Sequence, residues 1–246
     1  MQRYFTNEPI SENNTVTITG DDAHHMIQVM RMSPGDLVFV VANNQTYKME
    51  ILDGSSKAVH LKVKEVLLNT NEMPKKVSIV CGLPKGDKLE LITQKATELG
   101  MYELYPFEAK RSIVKWDKSK NEKKVARLQK IAKEAAEQSH RSTIPQIHNP
   151  VSIKELVELS KAYDVKYVAD EEDAKTDERQ KFAEQLKNVY DKQSILIVFG
   201  PEGGLDRAEI KLLLDNDFQT IALGPRILRT ETAPLYALSA ISYEFE

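Results

Sequence analysis

Two stretches of this 246-residue chain hold residue types whose spacing suits chemistry. In the first, Ser194-Ile195-Leu196-Ile197-Val198-Phe199 runs into Gly200-Pro201-Glu202-Gly203-Gly204-Leu205. A buried strand opening into a glycine loop and then a helix puts backbone amides where a ligand can reach them, because glycine has no Cβ in the way. Parallel sheets bind ligands beyond the carboxyl ends of their strands. The stretch is not a Walker loop, since no Gly-Lys-Ser/Thr follows, and Pro201 and Glu202 break a GxGxxG spacing. The same residues also suit a plain strand-to-helix turn. In the second stretch, Ile221-Ala222-Leu223 leads through Gly224-Pro225-Arg226-Ile227-Leu228-Arg229-Thr230-Glu231-Thr232-Ala233 to Pro234. Pro234 suits the start of a helix. Arg229 and Glu231 then fall in a loop, where charges are either a solvated surface pair or functional.

Other reactive residue types give less. The five histidines form no HExxH and no Cys-His cluster, so no metal site is expected. His24 and His25 read as a helix face packed on strands, and Cys81 as a core residue at a strand end. With one cysteine no internal disulfide can form. The first residues lack a secretory apolar run, and wholly apolar runs such as residues 195–199 are far short of the ~20 residues of a membrane span. A soluble, cytoplasmic protein is expected.

The net charge of −3 argues against a nucleic-acid partner until it is resolved along the chain. Residues 1–72 hold 6 basic and 9 acidic side chains, residues 73–150 hold 16 and 9, and residues 151–246 hold 12 and 19. A basic middle between acidic flanks is what a phosphate-binding face looks like; a lysine-rich solvated helix surface gives the same pattern.

The elements that must position these residues change in kind near residue 73. Before it, short β-branched runs at 15–18, 37–41, 47–52 and 58–66 predict strands. Asp21 or Asp22 is placed to cap a short helix reaching Met30. Turns are expected at Ser33-Pro34-Gly35-Asp36 and Asp53-Gly54. One helix among several short strands suggests a small barrel. Asn69-Thr70-Asn71-Glu72-Met73-Pro74 reads as a boundary. Beyond it, strands at 77–81, 103–107, 166–169, 195–199 and 220–223 alternate with helices at 89–99, 120–139, 151–162, 177–189, 206–216 and 234–244. That alternation predicts an open parallel α/β sheet. Gly100 suits a helix C-cap, and Asp206 with Glu209 a capping box.

Taken together, Gly200-Pro201-Glu202-Gly203-Gly204 and the run from Leu223 to Ala233 resemble the two cofactor-loop signatures of the bacterial 16S ribosomal RNA uridine-N3 methyltransferases, the RsmE family of the SPOUT superfamily. Met1-Gln2-Arg3-Tyr4-Phe5, the stretch His24 to Met32, Lys85-Gly86-Asp87-Lys88, Gln94 to Gly100, Arg111-Ser112, Ala135 to Ser139 with Arg141, and Ile144-Pro145 extend the similarity over the full length. Met30 departs from the leucine more usual there, a volume-conserving swap. The resemblance implies an α/β protein: a PUA-like RNA-binding β-barrel domain over 1–72, then a trefoil-knotted, parallel-sheet SPOUT methyltransferase domain over 73–246. It implies S-adenosyl-L-methionine as cofactor, held by Gly200, Glu202, Gly203, Leu223, Gly224, Ile227, Leu228, Thr230, Glu231, Thr232 and Ala233, with Ala169-Asp170 a weaker candidate. The implied reaction is methylation of N3 of a specific uridine in 16S rRNA of the small ribosomal subunit. Arg229 and Glu231 are the catalytic candidates, and Arg3, Arg31, Lys85, Lys88, Arg111 and Arg141 the RNA-binding ones. A homodimer is also implied, in keeping with an apolar last helix. Another rRNA or tRNA base as target, or a catalytically silent RNA-binding or ribosome-assembly protein, are the competing readings.

Overall fold

The change of hydrophobic period near residue 73 is also a change of architecture. The computed structural model describes residues 1–68, 71–170 and 182–246, and divides the chain into two compact units: 1–72 with 136–143, and 73–135 with 144–246.

In the first unit, β1 (Arg3–Thr6), β2 (Thr15–Thr19), β3 (Leu37–Ala42), β4 (Gln45–Gly54) and β5 (Ala58–Leu67) form one sheet in the order β1-β3-β4-β5-β2. All pairs are antiparallel except β1 with β3. Alternate residues Val16, Ile18, Val38, Val40, Met49, Ile51, Val59 and Leu61 are buried on one face, as a period of two requires. Asn43 and Asn44 join β3 to β4 with both φ values positive, 49° and 60°, a turn that asparagine tolerates and whose twist matches the strands. The sequence reading missed this hairpin and the strand β1. Asp53-Gly54 ends β4 instead of making the turn, which closes a residue later where Ser55 N donates to Ala58 O at 2.7 Å. Helix α1 (Gly20–His24) has Thr19 as its N-cap, so Asp21 and Asp22 lie in its first turn. There their charge favours the helix dipole. The helix widens to a π-helical turn over His25–Val29.

The second unit is built on β6 (Lys76–Gly82), β7 (Glu103–Phe107), β8 (Gln146–Ile147), β9 (Val165–Ala169), β10 (Ser194–Phe199) and β11 (Gln219–Ile221). The order is β11-β9-β10-β6-β7-β8, and every pairing is parallel. With β9 and β6 on either side, β10 is buried along Ile195–Phe199, which explains why its apolar run does not alternate. One face is covered by α2 (Lys88–Glu98), α3 (Asn121–Gln138), α5 (Phe182–Lys187) and α7 (Ala233–Phe245), through Ile92, Leu128, Leu186 and Leu238 among others. The other face is covered by α4 (Ile153–Ser160) and α6 (Arg207–Leu214), through Leu156, Ile210 and Leu213. Ser152 with Glu155 and Asp206 with Glu209 form complete capping boxes. Val151, read as the start of α4, instead bridges to Phe107. Gly100 takes φ +87° after α2. The helix read at 177–189 is seen as α5; its residues 177–181 lie outside the described residues.

At the amino ends of these strands, Tyr163 and Tyr105 donate to Glu103 Oε2 at 2.8 and 3.0 Å, and His148 Nε2 lies 3.5 Å from Glu103 Oε1. Burial alone would raise the Glu103 carboxyl, but His148 and the two tyrosines outweigh it and hold it at about 2, against an ordinary 4.5. A folded-state value below the unfolded one stabilises above the unfolded value and is lost as pH falls through the folded one. Glu103 should therefore contribute about 3 kcal/mol at neutral pH, lost between about pH 5 and pH 2. Urea midpoints should fall across that window for the natural chain, and Glu103→Gln should be less stable at pH 7 with a flatter profile. Parallel profiles for the two would refute the assignment.

Candidate functional site

The carboxyl ends of β10 and β11 both open into glycine loops, and a cleft of about 250 Å³ lies between them. In the first loop Gly204 N donates to Pro201 O at 2.8 Å and Gly204 has φ +67°, so the chain reverses tightly before Asp206 caps α6. A Cβ on Gly200 would lie 3.0 Å from the backbone of Gly204 and Leu205. One on Gly203 would touch Arg111 at 3.4 Å. Gly82, which closes β6, is still more constrained: a Cβ there would lie 2.5 Å from the Pro201 ring. Sequence reasoning did not single out Gly82, because nothing local distinguishes a glycine at a strand end that backs onto a loop 119 positions later.

In the second loop Gly224 takes φ +89°, and Thr232 N and Ala233 N both donate to Arg229 O, at 2.8 and 3.0 Å, which turns the chain into α7. Thr232 is the helix N-cap. Leu223 is buried and Leu228 packs on the core, so the loop is pinned before and after its polar tip.

Of the residues expected to hold a cofactor, Gly200, Glu202, Gly203, Leu223, Gly224, Ile227, Leu228, Thr230 and Ala233 line this cleft; Glu231 and Thr232 do not. Phe199 and Ile221 extend its apolar wall. Asp170, the weaker candidate, also lines it; its side chain is 5% exposed and takes both arms of the Arg207 guanidinium, at 2.7 and 2.9 Å.

The two loops are joined by a residue from a third segment. Lys88 Nζ, at the start of α2, lies 3.0 Å from Glu202 Oε1 and 3.2 Å from Glu231 Oε2. Glu202 Oε1 also accepts from Lys85 N at 3.1 Å. Burial pushes the Glu202 carboxyl up, but the backbone N–H groups of Glu202 and Lys85 and the Lys88 ammonium bring it below its ordinary value. Glu231 is lowered first by its own backbone N–H, then by Lys88 and the charge of Arg229. Both carboxylates in turn raise Lys88. Lys88, expected to contact RNA, is thus paired with two glutamates of the protein. Arg229 is exposed.

Among the other expected RNA contacts, Lys85, Arg111 and Arg31 are exposed; Arg31 has φ +54°, and Arg111 lines the cleft and donates to Gly203 O at 3.3 Å. Arg3 and Arg141 are corrections. Arg141 is 3% exposed and grips Glu72 Oε2 through Nε and Nη2 at 3.1 and 2.5 Å, while Glu72 Oε1 accepts from Ser142 N and Thr143 N. Arg3, also buried, donates to Arg141 O at 2.6 Å and covers the Phe39 ring. Arg141 is committed to the half-buried Glu72 carboxylate and Arg3 to a backbone carbonyl, and a buried guanidinium is costly to withdraw from its partners, so these two hold the first unit together and leave phosphate to others. Cys81 is fully buried and its thiol is pushed up to about 12 by burial, as a core residue should be. No group of three or more metal-binding side chains occurs among the described residues, and no helix among them is long and apolar enough to cross a membrane.

A parallel sheet with paired glycine loops at its carboxyl edge agrees with the matching family models: the RNA methyltransferase domain over residues 71–242 and the RNA methyltransferase PUA domain over 18–64. Ribosomal RNA small subunit methyltransferase E of Bacillus subtilis is 48% identical over 250 residues, covering 100% of this chain and 98% of that protein. The protein of the same name from Mesomycoplasma hyopneumoniae is 33% identical, covering 97% and 98%. The crystal structure of the Neisseria gonorrhoeae protein of that name, bound to S-adenosyl methionine, superposes with a TM-score of 0.87 at 25% identity, covering 100% of this chain and 98% of that one. This chain belongs to the ribosomal RNA small subunit methyltransferase E family.

If Lys88 is what ties the loops, Lys88→Met should raise amide exchange in both 200–204 and 226–232, since both loops lose a charged hydrogen-bond partner at once. Exchange in β7 and α4 should not change. Faster exchange in one loop alone would show that the other is held independently.

Proposed function

We propose that this protein methylates N3 of a specific uridine in 16S rRNA of the small ribosomal subunit, using S-adenosyl-L-methionine bound in the cleft between the Gly200 and Gly224 loops. The observation that carries the reading is that cleft itself, whose lining coincides with the loop signatures shared with the methyltransferase E family.

The residues present fit the cofactor. Phe199, Ile221, Leu223 and Leu228 offer an apolar wall to a flat purine, and Gly203 leaves backbone within reach where a Cβ would fill the space. When bound, S-adenosylmethionine supplies an electrophilic methyl on a sulfonium. The chain's own work is then positioning and electrostatics. The N3 imide of uracil is a poor nucleophile until its proton leaves to water, and negative charge then spreads to the carbonyl oxygens. Arg229, exposed beside the cleft, is the group we assign to that charge. Glu231 was the other catalytic candidate. Held ionised below its ordinary value by its backbone N–H and Lys88, it is a weak base, and we assign it to positioning the loop and orienting Arg229.

Arg31, Lys85 and Arg111 remain as exposed RNA contacts within a chain whose middle third is basic. We place the RNA-binding domain at 1–72 and the knotted catalytic domain at 73–246, in a cytoplasmic homodimer. The apolarity of α7 supports a dimer only in part, because Ala237, Leu238 and Ile241 are buried within the protomer; Tyr236 and Tyr243, 40% and 92% exposed, are left for a partner. Light scattering should report twice the protomer mass at micromolar concentration.

Nucleoside mass spectrometry of 16S rRNA from a deletion strain, with and without complementation, tests the reaction: N3-methyluridine should vanish and return. A different missing nucleoside would move the target base. Arg229→Ala should lower kcat by ~10²–10³ and leave S-adenosylhomocysteine affinity within a few-fold. Lysine should rescue only partly, because it keeps the charge without the planar fork. Normal single-turnover chemistry with lost cofactor affinity would instead place Arg229 in the cofactor site.

A further inference from the structure

Three arginines line the cleft, and two of them are committed to the protein. Arg207 is held by Asp170 in a two-armed pair, and Arg111 reaches Gly203 O at 3.3 Å and lies 3.8 Å from Asp206. The acidic residues of the lining are likewise matched: Asp170 by Arg207, Glu202 by Lys88. Arg226 is the charge left over. It lines the cleft, is exposed, and makes no ion pair with any described residue. Its backbone is nevertheless fixed. Pro225 precedes it with a locked φ, and Leu228, two residues on, packs on the core. A guanidinium in the lining of a cleft, flanked by a proline and a core-packed leucine and with its fork unsatisfied by any described residue, suits a planar oxyanion.

Resting on the cofactor assignment made above, we propose that Arg226 is a specificity-determining residue that binds the carboxylate of the cofactor's amino-acid tail. The apolar wall takes the adenine, and the tail must end at the polar mouth where Arg226 stands. The residue thereby selects nucleosides that carry the amino acid over those that lack it. This role differs from that of Arg229, three positions on, which we assign to the target base.

The test compares two uncharged-sulfur ligands by calorimetry: S-adenosylhomocysteine, which has the amino-acid tail, and 5′-methylthioadenosine, which does not. In the natural chain the first should bind more tightly. Arg226→Ala should weaken S-adenosylhomocysteine by roughly 10- to 100-fold, the range for a hydrogen bond to a charged group, and leave methylthioadenosine unchanged. Arg226→Lys should recover part of the loss. Equal weakening of both ligands would overturn the proposal and show that Arg226 shapes the loop. No change with either ligand, together with weaker binding of a 16S rRNA fragment, would overturn it in favour of a phosphate contact. If the natural chain binds neither nucleoside, it is the cofactor site that is misplaced.

Discussion

A single ammonium group holds the candidate site in shape. Lys88 reaches Glu202 in the loop after β10 and Glu231 in the loop before α7, so three segments distant in sequence converge on one charge. Each loop has its own local reasons for its conformation, in glycine torsions, the tight Gly200–Leu205 approach and the turn onto Arg229 O. Those reasons fix each loop against its own strand. None of them fixes one loop against the other, and a cleft is a relation between two walls. Lys88 supplies that relation. Because both carboxylates are partly shielded from water, the attraction is worth more than it would be on an open surface.

The same arrangement separates two kinds of charge. The charged residues that build the cleft are matched by protein partners: Lys88 with two glutamates, Arg207 with Asp170, Arg111 with Gly203 O and Asp206. Arg226 stands outside this matching, exposed on the second loop, and Arg229 is exposed there too, near enough to Glu231 for its charge to be felt. Preorganised donors that protein does not already satisfy are the ones free to respond when negative charge arrives with a ligand or develops in a reaction. Division of labour along one eleven-residue loop follows: its apolar members form wall, its acidic member forms the clamp, and its two arginines are exposed.

Much of this was legible in the sequence where the physics is local. The strands β6, β7 and β10, the Asp206–Glu209 capping box, the αL glycine after α2 and the two glycine loops all follow from periodicity and turn chemistry within a dozen residues. What was not legible depends on distant partners. Strand β1 is short and earns its place only by pairing in parallel with β3. The Asn43-Asn44 hairpin was overlooked because Asp53-Gly54 is a stronger local turn signal, yet those two residues are the end of β4 and the turn follows them. Arginine reads as a phosphate ligand from composition, but Arg141 is answered by Glu72, 69 residues earlier, and Arg3 by a carbonyl 138 residues away. The pairing of Lys88 was hidden for the same reason. A salt bridge between residues 114 apart leaves no trace in spacing.

The central claim is that the Gly200 and Gly224 loops, joined through Lys88, form one cofactor site. Amide chemical-shift mapping with S-adenosylhomocysteine tests it most directly. The account predicts the largest shifts at 200–205 and 223–233 together, with a smaller response around Lys88 and essentially none in β2 to β5. Shifts confined to one loop, or centred on the first unit, would contradict it.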